Sequence, residues 1–168
     1  VSYNLNISYN NLVLITLHRR ENLNNLTKLF SEINTLASEY TALHFMFLKH
    51  HSINDSLYSE HIKAPNITLC SPLDYNALLQ ILSQCLFVIS DSGGIQEECT
   101  YFKKKILICR NSTERPEVID SGYGLLVGTD ILLNKDWVFK NPIIDNQCPF
   151  GDGNSSKHIC KILNDIFY

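Results

Sequence analysis

Three short polar clusters hold the residues of this chain best suited to chemistry: HRREN at 18–22, SDSGGIQEE at 90–98 and TERPE at 113–117. Gly93 and Gly94 let the backbone approach a ligand with no Cβ in the way. The first turn of a helix following them offers unpaired N–H groups and a partial positive charge, a setting that suits a phosphate. Ser92 either adds a hydroxyl donor there or caps the helix. Glu97 and Glu98, about one turn further on, would repel a phosphate but can accept bonds from sugar hydroxyls; equally, they can do no more than complement the helix dipole. His18, Arg19 and Arg20 have the donors to bind phosphate oxygens, the arginines through a forked guanidinium. Against that stands a solvated loop for Arg19 and Arg20, and a helix-start contact for His18. Arg115 follows another strand candidate in the same way and could reach the same crevice.

Other constellations are not assembled by the sequence. His50 and His51 are adjacent, so they point apart on a strand or turn, and no third ligand stands at metal-like spacing. The expectation is no metal and no cofactor. His44, His61 and His158 read as ordinary surface or helix residues, and Tyr75 and Tyr123 as packing. The six cysteines form no CxxC pair and read as small buried hydrophobes in a reducing compartment, hence a cytoplasmic protein. No nucleophile elbow, Walker loop, GxGxxG or catalytic carboxylate pair is evident. Glu97 and Glu98 diverge by about 100° on a helix, which argues against an acid/base pair. The residues suit holding a nucleotide better than transforming one.

The elements that must position these clusters alternate. LVLITL at 12–17 reads as a strand covered on both faces. Leu26, Leu29, Phe30, Ile33, Leu36, Ala37 and Tyr40 trace one face of a helix. LHFMFL at 43–48 is a second strand, followed by a helix near Asp55–Ile62, and NITLC at 66–70 is a third strand. Asp74 caps a helix that carries Tyr75, Leu78, Leu79 and Leu82 inward. CLFVIS at 85–90, a helix through Tyr101, KILIC at 105–109, a short helix in TERPEVID with its proline in the first turn, and GLLVGT at 124–129 continue the alternation. Residues 131–152 read as a loop or short helix, and a last helix places Ile159, Ile162, Leu163 and Ile166 on one side. Alternation at this spacing predicts an α/β fold with a doubly wound, Rossmann-like parallel sheet, in which ligands sit at the carboxyl ends of the strands.

The bulk numbers bound the rest. A chain of 168 residues fits one domain over 1–168, and 45% hydrophobic with 18% charged residues is the composition of a globular protein. With net charge −3 and a single basic run, Lys103–Lys105, there is no cationic face for nucleic acid. No apolar run approaches the roughly 18 residues of a membrane span, and no leader opens the chain. The only methionine is Met46 and the chain opens on a polar VSYNLN, which predicts an excised part of a longer protein.

Taken together, ITLHRREN, SDSGGIQEE and NSTERPEVID resemble the C-terminal half of the non-hydrolysing UDP-N-acetylglucosamine 2-epimerases, from about Leu12 to Asp130; PFGDGNSS at 149–156 resembles that family's closing motif. The resemblance implies one half of a two-domain GT-B architecture, with UDP-sugar bound between two Rossmann-like halves. It implies that Ser92, Gly93 and Gly94 hold the diphosphate, that Glu98 takes the ribose hydroxyls, and that Arg115 and His18 line the cleft, His18 being counted as catalytic. Leu73 and Leu78 complete the implied substrate-binding set, although the family often carries a polar residue where Leu73 stands. His50 falls where the family has a histidine followed by an asparagine–proline pair, but HHSIND departs from that pattern. Between GTD and PFGDG the chain is shorter than the family norm. The implied partners are the UDP-sugar, the N-terminal half that carries the catalytic carboxylates, and a second copy in a homodimer. Two other readings share these features, a glycosyltransferase half of the same fold and a non-catalytic UDP-sugar-binding module.

Overall fold

Five consecutive residues, Leu12–Thr16, form the first strand, β1, and all are buried, as a run with no polar face requires. The computed structural model describes residues 9–140, 143 and 147–167. The polar opening VSYNLN and residues 141–142 and 144–146 of the irregular segment lie outside them. After β1 come α1 (Leu26–Glu39), β2 (His44–Leu48), α2 (Asp55–His61), β3 (Ile67–Cys70), α3 (Tyr75–Gln84), β4 (Phe87–Ser90) and α4 (Gly93–Tyr101). They continue as β5 (Lys105–Ile108), α5 (Pro116–Asp120), β6 (Gly124–Leu126), α6 (Ile131–Asn134), α7 (Trp137–Lys140) and α8 (Ser155–Phe167).

The six strands form one parallel sheet in the order β3-β2-β1-β4-β5-β6. The direction of winding reverses between β1 and β4, and at such a switch point the connections leave to opposite faces and open a crevice at the strands' carboxyl ends. Strand periodicity divides the core accordingly. Val13, Ile15, Phe45, Phe47 and Ile89 face Phe30, Ile33 and Tyr58 from α1 and α2. Leu12, Leu14, Met46, Val88 and Ile106 face Ile81, Leu82, Cys99 and Val118 from α3, α4 and α5.

Several expectations need correction. Tyr75 does not turn inward: it is 60% exposed. It stands directly after the Asp74 cap, whose carboxylate accepts from Ala77 N, and the buried stripe of α3 is Ala77, Ile81 and Leu82, with Leu78 and Leu79 half-buried beside it. Arg20, for which a solvated loop is one reading, opens a 3-10 helix, Arg20–Asn25. Segment 131–152, read as a loop or short helix, holds two four-residue helices, α6 and α7, in agreement with that reading. His44 is half-buried and paired with Thr68 Oγ1 at 2.9 Å, so it is no ordinary surface residue. All six cysteines are free; Cys85, Cys99 and Cys109 are buried as expected, whereas Cys160 is exposed.

Candidate functional site

The three polar clusters meet at the switch point. HRREN leaves β1, SDSGG leaves its neighbour β4, and TERPE follows β5. One buried carboxylate joins the first two. Asp91 is fully buried and accepts from His18 N at 3.0 Å, Arg19 N at 2.9 Å and Asn22 Nδ2 at 2.9 Å. Asn22, also buried, donates at 2.8 Å to the Cys109 carbonyl, which ties the turn to the end of β5. Below this knot the Thr16 and Ser90 hydroxyls are 2.6 Å apart, and Ser90 Oγ accepts from Ser92 N. A buried charge is tolerated only with such a full set of donors.

Ser92 occupies the N-cap position of α4 in extended conformation, yet its side chain makes no capping bond. The simple capping role is therefore not the one its hydroxyl plays. Gln96, fully buried, links this turn to TERPE: its Nε2 donates to the Ser92 carbonyl, and its Oε1 accepts from Thr113 Oγ1 at 2.6 Å. Thr113 Oγ1 in turn accepts from Arg115 N. Gly93 is buried beneath two guanidiniums, Arg19 and Arg115, while nothing lies within 4 Å of the side-chain direction of Gly94.

The charges around these glycines are paired. Arg115 Nε donates to Glu97 Oε1 at 2.5 Å, so Glu97 answers an arginine rather than only the helix dipole. Glu114 Oε1 lies 3.6 Å from both Arg19 Nη2 and Arg115 Nη1. Its other oxygen meets Arg110, which also reaches Glu21 at 2.7 Å. A backbone N–H and Arg110 together hold the Glu114 carboxyl below its ordinary range. Glu98 differs from Glu97. It hydrogen-bonds to Tyr75, which raises the phenol's pKa, but Glu98 Oε2 is buried with no hydrogen-bond partner. Arg19 Nε is in the same condition.

On the β2 side, His18, Leu73 and His50 line one groove with Leu17, Leu48 and Pro72. The His18 ring, 31% exposed, stands with Nδ1 3.4 Å from Asp91 Oδ1 and its centroid 5.0 Å from that of His50. The His50 and His51 rings lie with centroids 4.0 Å apart, tilted by 37°, so these adjacent histidines do not point apart as expected. Burial, followed by the neighbouring His51 and His18, lowers the His50 pKa. Among the described residues no group of three or more His, Cys, Asp or Glu could hold a metal ion. Leu78 packs against the core face formed by α3 and α4.

Of the expected site residues, the structure gathers His18, Ser92, Gly93 and Arg115 around the switch point, sets Glu98 on the next turn of α4, and puts Leu73 beside His18. Asp91, Asn22, Gln96 and Glu114 were not singled out by the sequence. A chain-wide family model described as "UDP-N-acetylglucosamine 2-epimerase" matches residues 2–164. The chain belongs to the UDP-N-acetylglucosamine 2-epimerase family. A UDP-N-acetylglucosamine 2-epimerase of Salmonella borreze is 36% identical over 160 residues, which cover 88% of this chain and 42% of that protein. The corresponding epimerase of Neisseria meningitidis serogroup A is 34% identical over 169 residues, 90% of this chain and 44% of the relative.

Solved epimerase structures agree with the fold. The N. meningitidis UDP-GlcNAc 2-epimerase bound to UDP-GlcNAc superposes with a TM-score of 0.78 at 30% identity, covering 92% of this chain and 44% of that one. S. aureus MnaA in its UDP co-structure gives 0.81 at 29% identity, covering 94% and 48%. This member of the epimerase family thus spans less than half the length of the relatives it matches.

Proposed function

We propose that this chain is the UDP-binding, C-terminal half of a UDP-N-acetylglucosamine 2-epimerase, folded as a single Rossmann-like domain over 1–168. The observation that carries the reading is the pairing of an open, arginine-flanked glycine turn with a buried, unpartnered acceptor one turn along the same helix. Gly93, Gly94 and the Ser92 hydroxyl would receive the diphosphate at the start of α4, where N–H groups are free. Arg19 and Arg115 would contribute charge-assisted bonds to it. Glu98 Oε2, buried without a donor, would accept from the ribose hydroxyls. Leu73 and Leu78 would lie toward the base, and His18 toward the sugar.

These residues would act on the leaving group. Inversion at carbon 2 proceeds in this reading by loss of UDP from carbon 1 with removal of the carbon 2 proton, giving a glycal, followed by re-addition of UDP with a proton delivered to the other face. Departing UDP gains negative charge, and donors already fixed around it stabilise that charge without reorganisation. Glu97 and Glu114 pair with these arginines. A diphosphate would compete with these carboxylates for the same guanidiniums. The proton transfers need acid/base groups, and carboxylates of an N-terminal half would supply them. The whole enzyme would then be an isomerase of the cytoplasm, a compartment that fits six free cysteines, and would pair as a homodimer.

A glycosyltransferase half would use the same nucleotide contacts, and product analysis separates the two. Joined to an N-terminal Rossmann half, this chain is expected to convert UDP-GlcNAc to UDP-ManNAc with no acceptor present, and alone to give no turnover. Sugar transfer only on addition of an acceptor would replace the epimerase reading; binding without either reaction would leave a UDP-sugar-binding module.

A further inference from the structure

We propose that Asp91 is the positioning residue of His18, its carboxylate selecting the imidazole tautomer with hydrogen on Nδ1 and leaving Nε2, with its lone pair, as the nitrogen offered to a ligand. This deepens the function proposed above and rests on its assignment of His18. The carboxylate is buried and its two oxygens face different sets of donors. Oδ2 accepts from Arg19 N at 2.9 Å, Asn22 Nδ2 at 2.9 Å and His18 N at 3.1 Å. Oδ1 accepts from His18 N at 3.0 Å and lies 3.4 Å from His18 Nδ1.

An ionised carboxylate only accepts hydrogen bonds, so a ring nitrogen set against it must carry the hydrogen, and in a neutral imidazole the other nitrogen then cannot. At 3.4 Å the Nδ1 contact is longer than a full hydrogen bond and acts as an ion–dipole contact across the same carboxylate. Asp91 is held in this orientation by the main-chain N–H groups of His18 and Arg19, and Asn22 additionally joins it to the Cys109 carbonyl. The His18 main chain and ring are thus referred to one carboxylate, and the His50 ring packs beside them at 5.0 Å.

The unequal loading of the two oxygens makes the idea testable. In Asp91→Asn the amide oxygen belongs at the Oδ2 position, where three donors point, which places the NH2 group against His18 Nδ1. That nitrogen must then accept, and the tautomer inverts. Long-range 1H–15N spectra of the labelled chain, with the His18 signals assigned through His18→Gln and the ring in its neutral form, read the tautomer directly. Expected are hydrogen on Nδ1 in the unmodified chain, hydrogen on Nε2 in Asp91→Asn, and no inversion in Asn22→Ala, which disturbs the same turn but leaves the Asp91–His18 contact. Hydrogen on Nε2 in the unmodified chain overturns the proposal even if Asp91→Asn does not fold. A folded Asp91→Asn that keeps hydrogen on Nδ1, or inversion in Asn22→Ala as well, also overturns it. No nucleotide is present in these samples, so a failure of UDP binding would count against the function and not against this assignment.

Discussion

Gly93 lies under two guanidiniums: a Cβ there would stand 3.2 Å from Arg19 Nη2 and 3.5 Å from Arg115 Cζ. Both obstacles are the far ends of flexible side chains, and Gly93 has no positive φ to defend. Gly93→Ala should therefore leave the urea midpoint unchanged or slightly raised, since alanine is favoured over glycine in a helix. It should weaken UDP by about tenfold, or about 1.4 kcal/mol, because the displaced arginines are those a diphosphate would meet; calorimetry beside urea unfolding checks both. Loss of stability with affinity intact would contradict this role for the turn. At this scale the sequence exposed His18, Ser92, Glu98 and Arg115, since a polar residue following an apolar strand announces itself. Asp91 and Asn22 were hidden because burial of a polar side chain leaves no mark in composition. Asp91, flanked by two serines in an otherwise polar stretch, reads as solvated loop until its donors are known.

The elements were legible where the period was regular. Nearly all-apolar strand runs and the three-four spacing of α1 describe the doubly wound sheet, and strand alternation then fixes which residues meet α1 and which meet α4. Tyr75 misled because the first residue of a helix lies at the rim of its apolar stripe, where spacing alone does not decide its direction. The 3-10 helix Arg20–Asn25 follows from the bonds to Asp91 and Cys109, which are tertiary, and a local pattern could not have announced it. Strand β2 carries a prediction of its own. Burial lowers the pKa of His44 at its start and, with help from His51 and His18, that of His50 just beyond its end. The unfolded chain binds these protons at ordinary imidazole values, about 6.5, whereas the folded chain resists them. Stability is thus fully kept above that pH and declines as pH falls through and below it. Urea midpoints at about pH 7.5 and about pH 5.5 should show a smaller drop in His44→Gln than in the unmodified chain. An equal or larger drop would mean that His44 does not contribute.

Across the whole molecule, two faces of the sheet are covered and one element is left over. Every described residue of α8 from Ser155 onward is exposed, including Ile159, Ile162, Leu163, Ile166 and Phe167. The chain spans less than half the length of its relatives, and under the proposed function an N-terminal half would be the occupant of this apolar side of α8. No described helix is long and apolar enough to cross a membrane. If the proposed function holds, the cluster at the switch point suffices for UDP while the proton transfers need a second half, so binding and catalysis should separate: this chain should bind, and the joined halves should turn over. The most direct test is a calorimetric titration of the chain with UDP, with uridine as control and Glu98→Ala in parallel. The account predicts saturable UDP binding, much weaker binding of uridine, and at least about tenfold loss in Glu98→Ala, the scale of a hydrogen bond to a charged acceptor. Equal affinity for UDP and uridine, or a Glu98→Ala variant that binds UDP as well as the unmodified chain, would contradict it.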